Sequence, residues 1–164
     1  MPIELSVREL IALNVVGWLM VQLVNAWAFT KIPAAWFTPG PTRPWEAGGV
    51  LYERAFIIKR WKDLLPDGAS WFTGGFPKAR LHGKDSAYLA RFVRETRRGE
   101  LCHWAAIGCA PFFFLWNPWW GDLIIVAVAL GTNLPCIVVQ RYNRLRLARV
   151  LAARTPRSMP ANTN

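Results

Sequence analysis

Long apolar stretches alternate with basic, polar ones along this chain, and the pattern predicts membrane-spanning helices. The first apolar stretch, residues 9–29 (ELIALNVVGWLMVQLVNAWAF), is interrupted after Glu9 only by Asn14, Gln22 and Asn25. As a helix it is long enough to cross roughly 30 Å of hydrocarbon. A cleaved signal peptide is the alternative, but its apolar core usually has only about 7 to 15 residues. We therefore predict a first membrane span here.

The second apolar stretch runs from residue 101 to residue 139 and is too long for one crossing. Turn-forming residues interrupt it at 117–122 (NPWWGD), which predicts a helical hairpin with arms at 101–116 and 123–139. Interfacial tryptophans and helix tilt accommodate arms of this length. We predict an all-α integral membrane protein with three transmembrane helices. The alternative is two spans and a re-entrant hairpin, because Pro111 and Pro135 can break the arms.

Basic residues indicate how these spans are oriented. The formal net charge is +10, and the Lys and Arg residues are unevenly distributed: thirteen between Lys31 and Arg98, six between Arg141 and Arg157, one before the first span and none in the hairpin turn. Because short basic loops remain in the cytoplasm, we expect the N-terminus and the turn outside and the C-terminus inside. The sequence thus predicts a multi-pass plasma-membrane protein.

The basic segment between the first two spans is expected to lie along the cytoplasmic membrane surface. Prolines and glycines make its beginning irregular, and aromatic residues suited to the headgroup region are interspersed: Trp36, Phe37 and Trp45. Residues 50–63 fit a helix, with a short strand at 55–58 as the alternative. We expect residues 1–154 to form one domain and residues 155–164 a disordered tail.

Residues 84–99 have a clearer amphipathic pattern. Asp85 or Ser86 is suited to cap a helix here. One face is largely apolar, and arginines occupy the other faces. The apolar face consists of Tyr88, Leu89, Phe92, Val93 and Thr96, and the arginines are Arg91, Arg94, Arg97 and Arg98. This predicts a basic helix that runs directly into the second span. Because spans are attached to it, we expect an anionic membrane lipid as its partner, and no nucleic acid.

Several classes of catalytic and binding site have no motif in this sequence. No CxxC or HExxH spacing occurs, and neither does a GxxxxGK[ST] loop, a GxSxG elbow or an HxxxxD acyltransferase motif. The three cysteines all lie between residues 102 and 136, where they suit helix packing better than a disulfide framework. We expect neither a bound metal nor a bound cofactor.

Candidate catalytic residues lie where the basic helix enters the apolar arm. Glu100 and His103 are spaced i and i+3, and Glu95 lies about two turns before His103. Ionisable groups at membrane depth are costly, which points to function. We predict His103 as a general base whose tautomer Glu100 or Glu95 fixes. The alternative is that Glu100 and His103 only pair with basic residues such as Arg141.

The hairpin geometry predicts which residues face His103. Positions equidistant from the turn lie at equal depth, so His103 lies opposite residues 135–137, close to Asn133. This predicts a polar cavity at the cytoplasmic boundary of the membrane. The alternative is that Asn133 and Gln140 hydrogen-bond between helices. Arginine and lysine bind the phosphate or carboxylate of a ligand such as a coenzyme A ester. We predict these substrate-binding residues: Asn133, Gln140, Arg141, Tyr142, Asn143, Arg144, Lys59 and Lys62.

Two motifs in these regions resemble a known family. The pattern ExxRxExxHW covers residues 95–104, and NxPxxxxQRYNRxRL covers residues 133–147. With weaker matches at residues 59–62 (KRWK), 21–23 (VQL) and 32–33 (IP), they resemble the glycosyl-4,4'-diaponeurosporenoate acyltransferase family. The resemblance implies a small membrane enzyme that esterifies a fatty acyl chain onto the sugar 6-hydroxyl of a glycosylated carotenoid acid, the last step of staphyloxanthin synthesis.

We therefore predict a membrane acyltransferase that acts on a hydroxyl of a glycolipid or glycosylated carotenoid acid at the cytoplasmic face. The acyl thioester, on coenzyme A or an acyl carrier protein, is a co-substrate. His103 deprotonates the acceptor hydroxyl, and Asn133 or Asn143 donates to the developing oxyanion. These roles are inferred from chemistry, independently of the family. Two alternatives are a non-enzymatic subunit that binds anionic lipid and a metal-dependent membrane hydrolase.

Overall fold

The regular secondary structure of the described residues is helical, and coil and turns connect the helices. The computed structural model describes residues 5–40, 42–65, 71–73, 75–76, 83 and 85–154. Within these ranges there is no strand, and the α-helices are α1 (Val7–Lys31), α2 (Val50–Ala55), α3 (Ser86–Gly108) and α4 (Trp119–Arg154). Short 3₁₀ helices connect them: Ala34–Trp36, Pro44–Gly49, Ile58–Arg60, Lys62–Leu64 and Ala110–Leu115.

These elements confirm the predicted all-α class over the described ranges. The helix predicted at residues 50–63 is α-helical only as far as Ala55. The alternative of a strand at 55–58 is wrong, because Ile58 begins a 3₁₀ helix and no strand pairing occurs nearby. The tail predicted at 155–164 lies outside the described residues.

Two helices, α1 and α4, are long and apolar enough to cross a membrane, judged by the length and composition of the described residues. They contain 25 and 36 residues. The predicted spans at 9–29 and 123–139 lie within them. Large apolar side chains on α1 are exposed, with Val16 at 60% and Leu19 at 57%. Such exposure fits a helix that is surrounded by lipid rather than by water.

The prediction of a third spanning helix, at residues 101–116, is wrong. α3 ends at Gly108, and a 3₁₀ helix with Pro111 in its first turn follows. Only residues 101–108 of the apolar arm are therefore α-helical, which is about 12 Å of helix, less than half of the hydrocarbon thickness. Pro135, in contrast, lies inside α4 without ending it.

The two candidate spanning helices run parallel to each other. Asn14, near the start of α1, bonds Asn117, which lies two residues before α4. Further along α1, Gln22 bonds Asn133 in the middle of α4. α3 runs in the opposite direction, since Gly99 packs against Gln140 whereas His103, further along α3, reaches Asn133. Between the end of α1 and the start of α4, the chain therefore runs in the opposite direction, through the end of α3 and the 3₁₀ helix Ala110–Leu115.

α3 has the amphipathic pattern that its sequence predicts. Asp85 is the N-cap, and its carboxylate accepts a hydrogen bond of 2.8 Å from the backbone N–H of Tyr88. Three residues of the predicted apolar face are buried in one cluster with Phe76 and with Leu147 of α4. They are Leu89, Phe92 and Val93. Burying this face holds α3 along α4, which places the charged end of α3 beside the arginines of α4.

The segment between α1 and α3 contacts α4 closely through the 3₁₀ helix Pro44–Gly49. Ala47, Gly48 and Gly49 are all in the left-handed region, with φ of 45°, 61° and 106°. A Cβ at Gly48 would lie 2.8 Å from Cδ of Arg149, and one at Gly49 would lie 3.4 Å from the ring of Tyr142. Glycine thus allows the turn to lie directly on α4.

Candidate functional site

His103 of α3 is hydrogen-bonded to α4. Its Nδ1 atom lies 2.8 Å from Oδ1 of Asn133, which is fully buried. The Nδ2 atom of Asn133 donates to the carbonyl of Ala129 at 2.9 Å, and this bond fixes which atom of the amide faces the histidine. Gln22 of α1 donates to the same Oδ1 atom at 3.4 Å. Three helices therefore converge on one buried amide oxygen.

This contact determines the tautomer of His103. Because Oδ1 of Asn133 only accepts hydrogen bonds, Nδ1 of the imidazole carries the hydrogen, and in the neutral ring the lone pair lies on Nε2. The sequence predicted a carboxylate, Glu100 or Glu95, in this orienting position. In the structure an amide from α4 makes the contact instead. Nε2 is thus the atom suited to accept a proton from a substrate.

Glu100 lies at the centre of an arginine cluster. Its carboxylate is 1% exposed and contacts Nη1 of Arg97 at 3.1 Å and Nη1 of Arg141 at 3.7 Å, and it also pairs with Arg144. Pairing with Arg141 was the alternative interpretation of the sequence, and the structure shows it for Glu100. A buried carboxylate with three guanidinium partners holds the end of α3 against α4.

Glu95 pairs with a different arginine. Its Oε2 lies 2.6 Å from Nη2 of Arg98, and the two side chains are 1% and 7% exposed. Nη1 of Arg98 also donates to the carbonyl of Ile32, just after α1, at 3.4 Å. Glu95 therefore links α3 to the end of α1 through this arginine.

Arg141 joins the Glu100 cluster to a second buried carboxylate, Glu46. Its Nη2 and Nε atoms lie 2.9 and 3.1 Å from Oε1 of Glu46, which also accepts a bond of 2.8 Å from the Tyr52 hydroxyl. Glu46 was not among the predicted site residues, because it lies in a Pro/Gly-rich 3₁₀ segment where no periodicity indicates burial. Through these contacts, Arg141 connects the segment that lies between α1 and α3 to α3 itself.

The Glu46 and Tyr52 side chains have shifted pKa values. Burial raises the pKa of Glu46, but hydrogen bonds from Tyr52 and from the backbone N–H of Arg43, with the charge of Arg141, outweigh it and lower the net value. Burial, followed by the hydrogen bond to Glu46, raises the pKa of Tyr52 to about 12. The carboxylate therefore stays ionised and the phenol stays neutral at neutral pH.

A fourth carboxylate, Glu53 of α2, bonds two more of the predicted residues, Tyr142 and Lys59. It accepts a bond of 2.8 Å from the Tyr142 hydroxyl and pairs with Lys59 at 2.6 Å. These two bonds, that of Lys59 being the larger cause, lower the pKa of Glu53. Lys62 pairs with exposed Asp63 at the surface. Lys59 and Lys62 are therefore not next to His103, but lie on the segment that covers α4.

Gln140 and Asn143 complete the predicted set. The side chain of Gln140 lies over Gly99, where a Cβ would be only 3.1 Å from its Cδ. Its Oε1 atom is buried and has no hydrogen-bond donor within the described ranges. Asn143 is half-buried on α4, ten residues after Asn133, which is about 15 Å along the helix axis. The predicted residues thus lie at two levels along the axis of α4. His103 and Asn133 form the His103 level, and Arg141 and Arg144 form the arginine level, nearer the C-terminus of α4.

The described residues contain no group of three or more His, Cys, Asp or Glu side chains placed to bind a metal ion. No disulfide bond joins the cysteines Cys102, Cys109 and Cys136, which all lie within the described ranges.

Comparisons with known proteins agree with these motifs. The sequence profile of the family described as glycosyl-4,4'-diaponeurosporenoate acyltransferase matches residues 33–153. The chain belongs to this family. A protein of that name from a bovine strain of Staphylococcus aureus is 31% identical over 138 residues, covering 82% of this chain and 83% of its own, and the one from strain USA300 is 30% identical over the same coverage. No solved structure matches.

Family membership establishes the class of activity. The protein is an acyltransferase, as the sequence motifs predicted, and the two apolar helices fit an enzyme that associates with a membrane. The family thus favours the enzyme over the non-enzymatic lipid-binding subunit and over the hydrolase. Both motifs lie within the matched residues, and the first of them contains His103, Glu100 and Glu95.

Proposed function

We propose that this protein transfers a fatty acyl group from an acyl thioester to a hydroxyl of a lipid-embedded glycolipid or glycosylated carotenoid acid, at the cytoplasmic face of the plasma membrane. The acceptor class is inferred from the name of the Staphylococcus aureus relatives, glycosyl-4,4'-diaponeurosporenoate acyltransferase. The observation that carries the chemistry is the bond between His103 and Asn133, which leaves Nε2 of a half-buried imidazole as the basic atom at the junction of three helices.

The reaction proceeds in two proton-balanced steps. The acceptor hydroxyl oxygen attacks the thioester carbonyl carbon while Nε2 of His103 takes the hydroxyl proton, which gives a tetrahedral oxyanion. The C–S bond then breaks, the thiolate leaves, and the imidazolium returns the proton to it, so that an ester and a free thiol are the products. No oxidant, reductant or water is consumed.

The structure leads us to assign Asn133 a positioning role. Its amide oxygen accepts from His103 and its nitrogen donates to Ala129, so both groups are already used. Asn143 lies about 15 Å further along α4 and is distant from the imidazole. We therefore propose that Asn133 orients the base, and that Glu100 and Glu95 hold α3 in place through their arginines.

The parallel course of α1 and α4 supports an N-terminus outside and a C-terminus inside. It places the start of α1 and the uncharged turn before α4 at one end of the helices, and the arginines from Arg141 to Arg154 at the other. By the positive-inside rule the arginine end is cytoplasmic. The His103 level then lies between this end and the middle of the membrane, where both a lipid-embedded acceptor and a cytoplasmic donor have access.

The test is a transferase assay on full-length protein in lipid nanodiscs. Palmitoyl-coenzyme A serves as the donor and a long-chain alkyl glucoside as the acceptor, and both ester product and free fatty acid are quantified. Removing a general base costs roughly 100- to 10,000-fold, so we expect His103→Ala to lower kcat by at least about 100-fold. The matched control is His82→Ala, the chain's other histidine. Full turnover by correctly inserted His103→Ala would refute the proposal, and free fatty acid as the main product would indicate hydrolysis.

A further inference from the structure

A groove of about 430 Å³ lies on the segment between α1 and α3. This volume is within the range of sites that bind small molecules, roughly 300 to 1,000 Å³. Its walls are mostly apolar, with one guanidinium group among them: Trp45, Ala47, Val50, Leu51, Arg54 and Ala55. None of these residues belongs to the His103 level, so the groove is separate from the proposed base.

The groove has an excess of positive charge at one side. Arg54 lines it, and the guanidinium carbon of Arg43 lies 5.9 Å from the ring centroid of Trp45. Within the described ranges neither arginine has a carboxylate partner. The nearby carboxylate of Glu46 is already bound by Arg141 and Tyr52. A planar guanidinium with uncommitted N–H groups is well suited to bind phosphate.

A series of side-chain contacts connects the groove to the helix that carries the proposed base. The guanidinium carbon of Arg141 lies 5.9 Å from the ring centroid of Trp45, which lines the groove, and Nη1 of the same arginine contacts Glu100. Glu100 precedes His103 by three residues on α3, close to one helical turn. A ligand with its phosphate in the groove and a long, thin arm along this surface would therefore extend towards His103.

We propose that the groove binds the phosphorylated carrier arm of the acyl thioester donor, the chemistry that coenzyme A and acyl carrier protein share. This inference rests on the proposed function, which requires a thioester. The apolar walls fit the arm, and the unpaired guanidinium groups of Arg43 and Arg54 fit its phosphate. Charge complementarity thus favours a phosphorylated carrier in the groove, while the acyl chain and the sugar acceptor belong to the His103 level.

The test compares two donors that share the thioester and the pantetheine arm, of which only one is phosphorylated. Palmitoyl-coenzyme A carries phosphate on this arm, and palmitoyl-pantetheine carries none. A charge-assisted hydrogen bond contributes enough to change affinity by roughly tenfold. We expect Arg54→Ala to raise KM for palmitoyl-coenzyme A about tenfold, with kcat unchanged, and to leave KM for the phosphate-free donor unchanged. Leu51→Trp, which fills the groove, should raise both KM values.

The matched control is Arg60→Ala, which removes an exposed arginine outside the groove and should change neither KM value. Unchanged KM for palmitoyl-coenzyme A in both Arg54→Ala and Leu51→Trp would overturn the inference. So would an Arg54→Ala defect that is equal for the two donors and occurs only in nanodiscs with anionic phospholipid, because the groove would then bind a lipid headgroup.

A binding measurement separates this inference from the proposed function. Coenzyme A itself is titrated into wild-type protein, His103→Ala and Arg54→Ala, in nanodiscs of neutral lipid. We expect the first two to bind equally and Arg54→Ala to bind about tenfold more weakly. Binding with this pattern, but without transferase turnover, would refute the proposed function and keep the groove. Turnover without any effect of Arg54→Ala on coenzyme A binding would refute the groove and keep the proposed function.

Discussion

His103 and Asn133 are joined by a hydrogen bond of 2.8 Å between Nδ1 and Oδ1, across the interface of α3 and α4. The bond connects two residues that are 30 positions apart in the chain. Because Ala129 accepts from the amide nitrogen, the amide oxygen is fixed towards the ring. In the proposed mechanism, Asn133 orients this imidazole as a carboxylate does in many enzymes, but without adding a charge to a buried site.

Replacing Asn133 should affect turnover more than binding. Asn133→Ala removes the acceptor that keeps the hydrogen on Nδ1, so a smaller fraction of the imidazole has its lone pair on Nε2. We expect kcat to fall roughly 10- to 100-fold with KM nearly unchanged, as for other residues that orient a functional histidine. Steady-state kinetics in nanodiscs measure this.

The matched control is Thr132→Val, since the Thr132 hydroxyl bonds only within its own helix, to the carbonyls of Val128 and Ala129, and to the Asn133 amide. Asn133→Asp, which restores an acceptor, should recover part of the activity. An Asn133→Ala variant that changed KM alone would show that Asn133 contacts substrate rather than orienting the base.

Replacing Glu100 should affect stability first. Glu100→Gln leaves Arg97, Arg141 and Arg144 without their shared carboxylate in a buried environment. Breaking a buried ion pair in this way costs about 3 kcal/mol of unfolding free energy. Unfolding titrations in mild detergent measure the loss, with exposed Asp63→Asn as a control that should have little effect. If Glu100→Gln kept its stability and lost all turnover, Glu100 would instead act in the chemistry, as its position beside His103 suggested.

The Tyr52 hydroxyl should make stability depend on alkaline pH. Its pKa in the folded protein is about 12, above the ordinary value of 10.0, so the folded state holds this proton more tightly than the unfolded state. The stabilisation is complete below about pH 10 and is lost as pH rises through about 12. Tyr52→Phe removes this dependence, and at neutral pH it should cost about 1 kcal/mol through the lost bond to Glu46. Identical stability curves for the two proteins between pH 9 and 12 would contradict the assignment.

A pair of asparagines should couple α1 to the start of α4. Nδ2 of Asn14 donates to Oδ1 of Asn117 at 2.7 Å, and the reciprocal bond is 2.9 Å. The Trp116 indole N–H donates to Asn14 at 3.0 Å. Asn14→Leu and Asn117→Leu should each destabilise by about 1 kcal/mol or more, because each leaves a partner unsatisfied.

The double variant should lose less stability than the sum of the two single variants, since it removes both amides together. A double-mutant cycle in detergent measures this coupling. Additive losses would mean that the two amides act independently, contrary to the reciprocal bonds.

The sequence alone determined the helical class, the start of α3 and the family. These depend on local signals: the Asp85 cap, the apolar face of residues 84–99 and the two motifs are all readable over short windows. It also located α1 and α4, the two helices that are long and apolar enough to span a membrane. The sequence pattern overestimated the length of the α-helical arm at 101–116. Hydropathy depends only on how apolar the residues are, whereas Pro111 shortens the α-helix.

Only the tertiary structure decided which polar groups meet. The choice of Asn133 over Glu100 as the partner of His103, the burial of Glu46 and the bridging by Arg141 all depend on how α3 and an irregular segment pack on α4. Helical periodicity places a residue on a face of its own helix, but it does not fix the rotation or register of one helix against another. Those are set by side-chain packing over the whole interface, such as Leu89 and Phe92 in the cluster with Leu147.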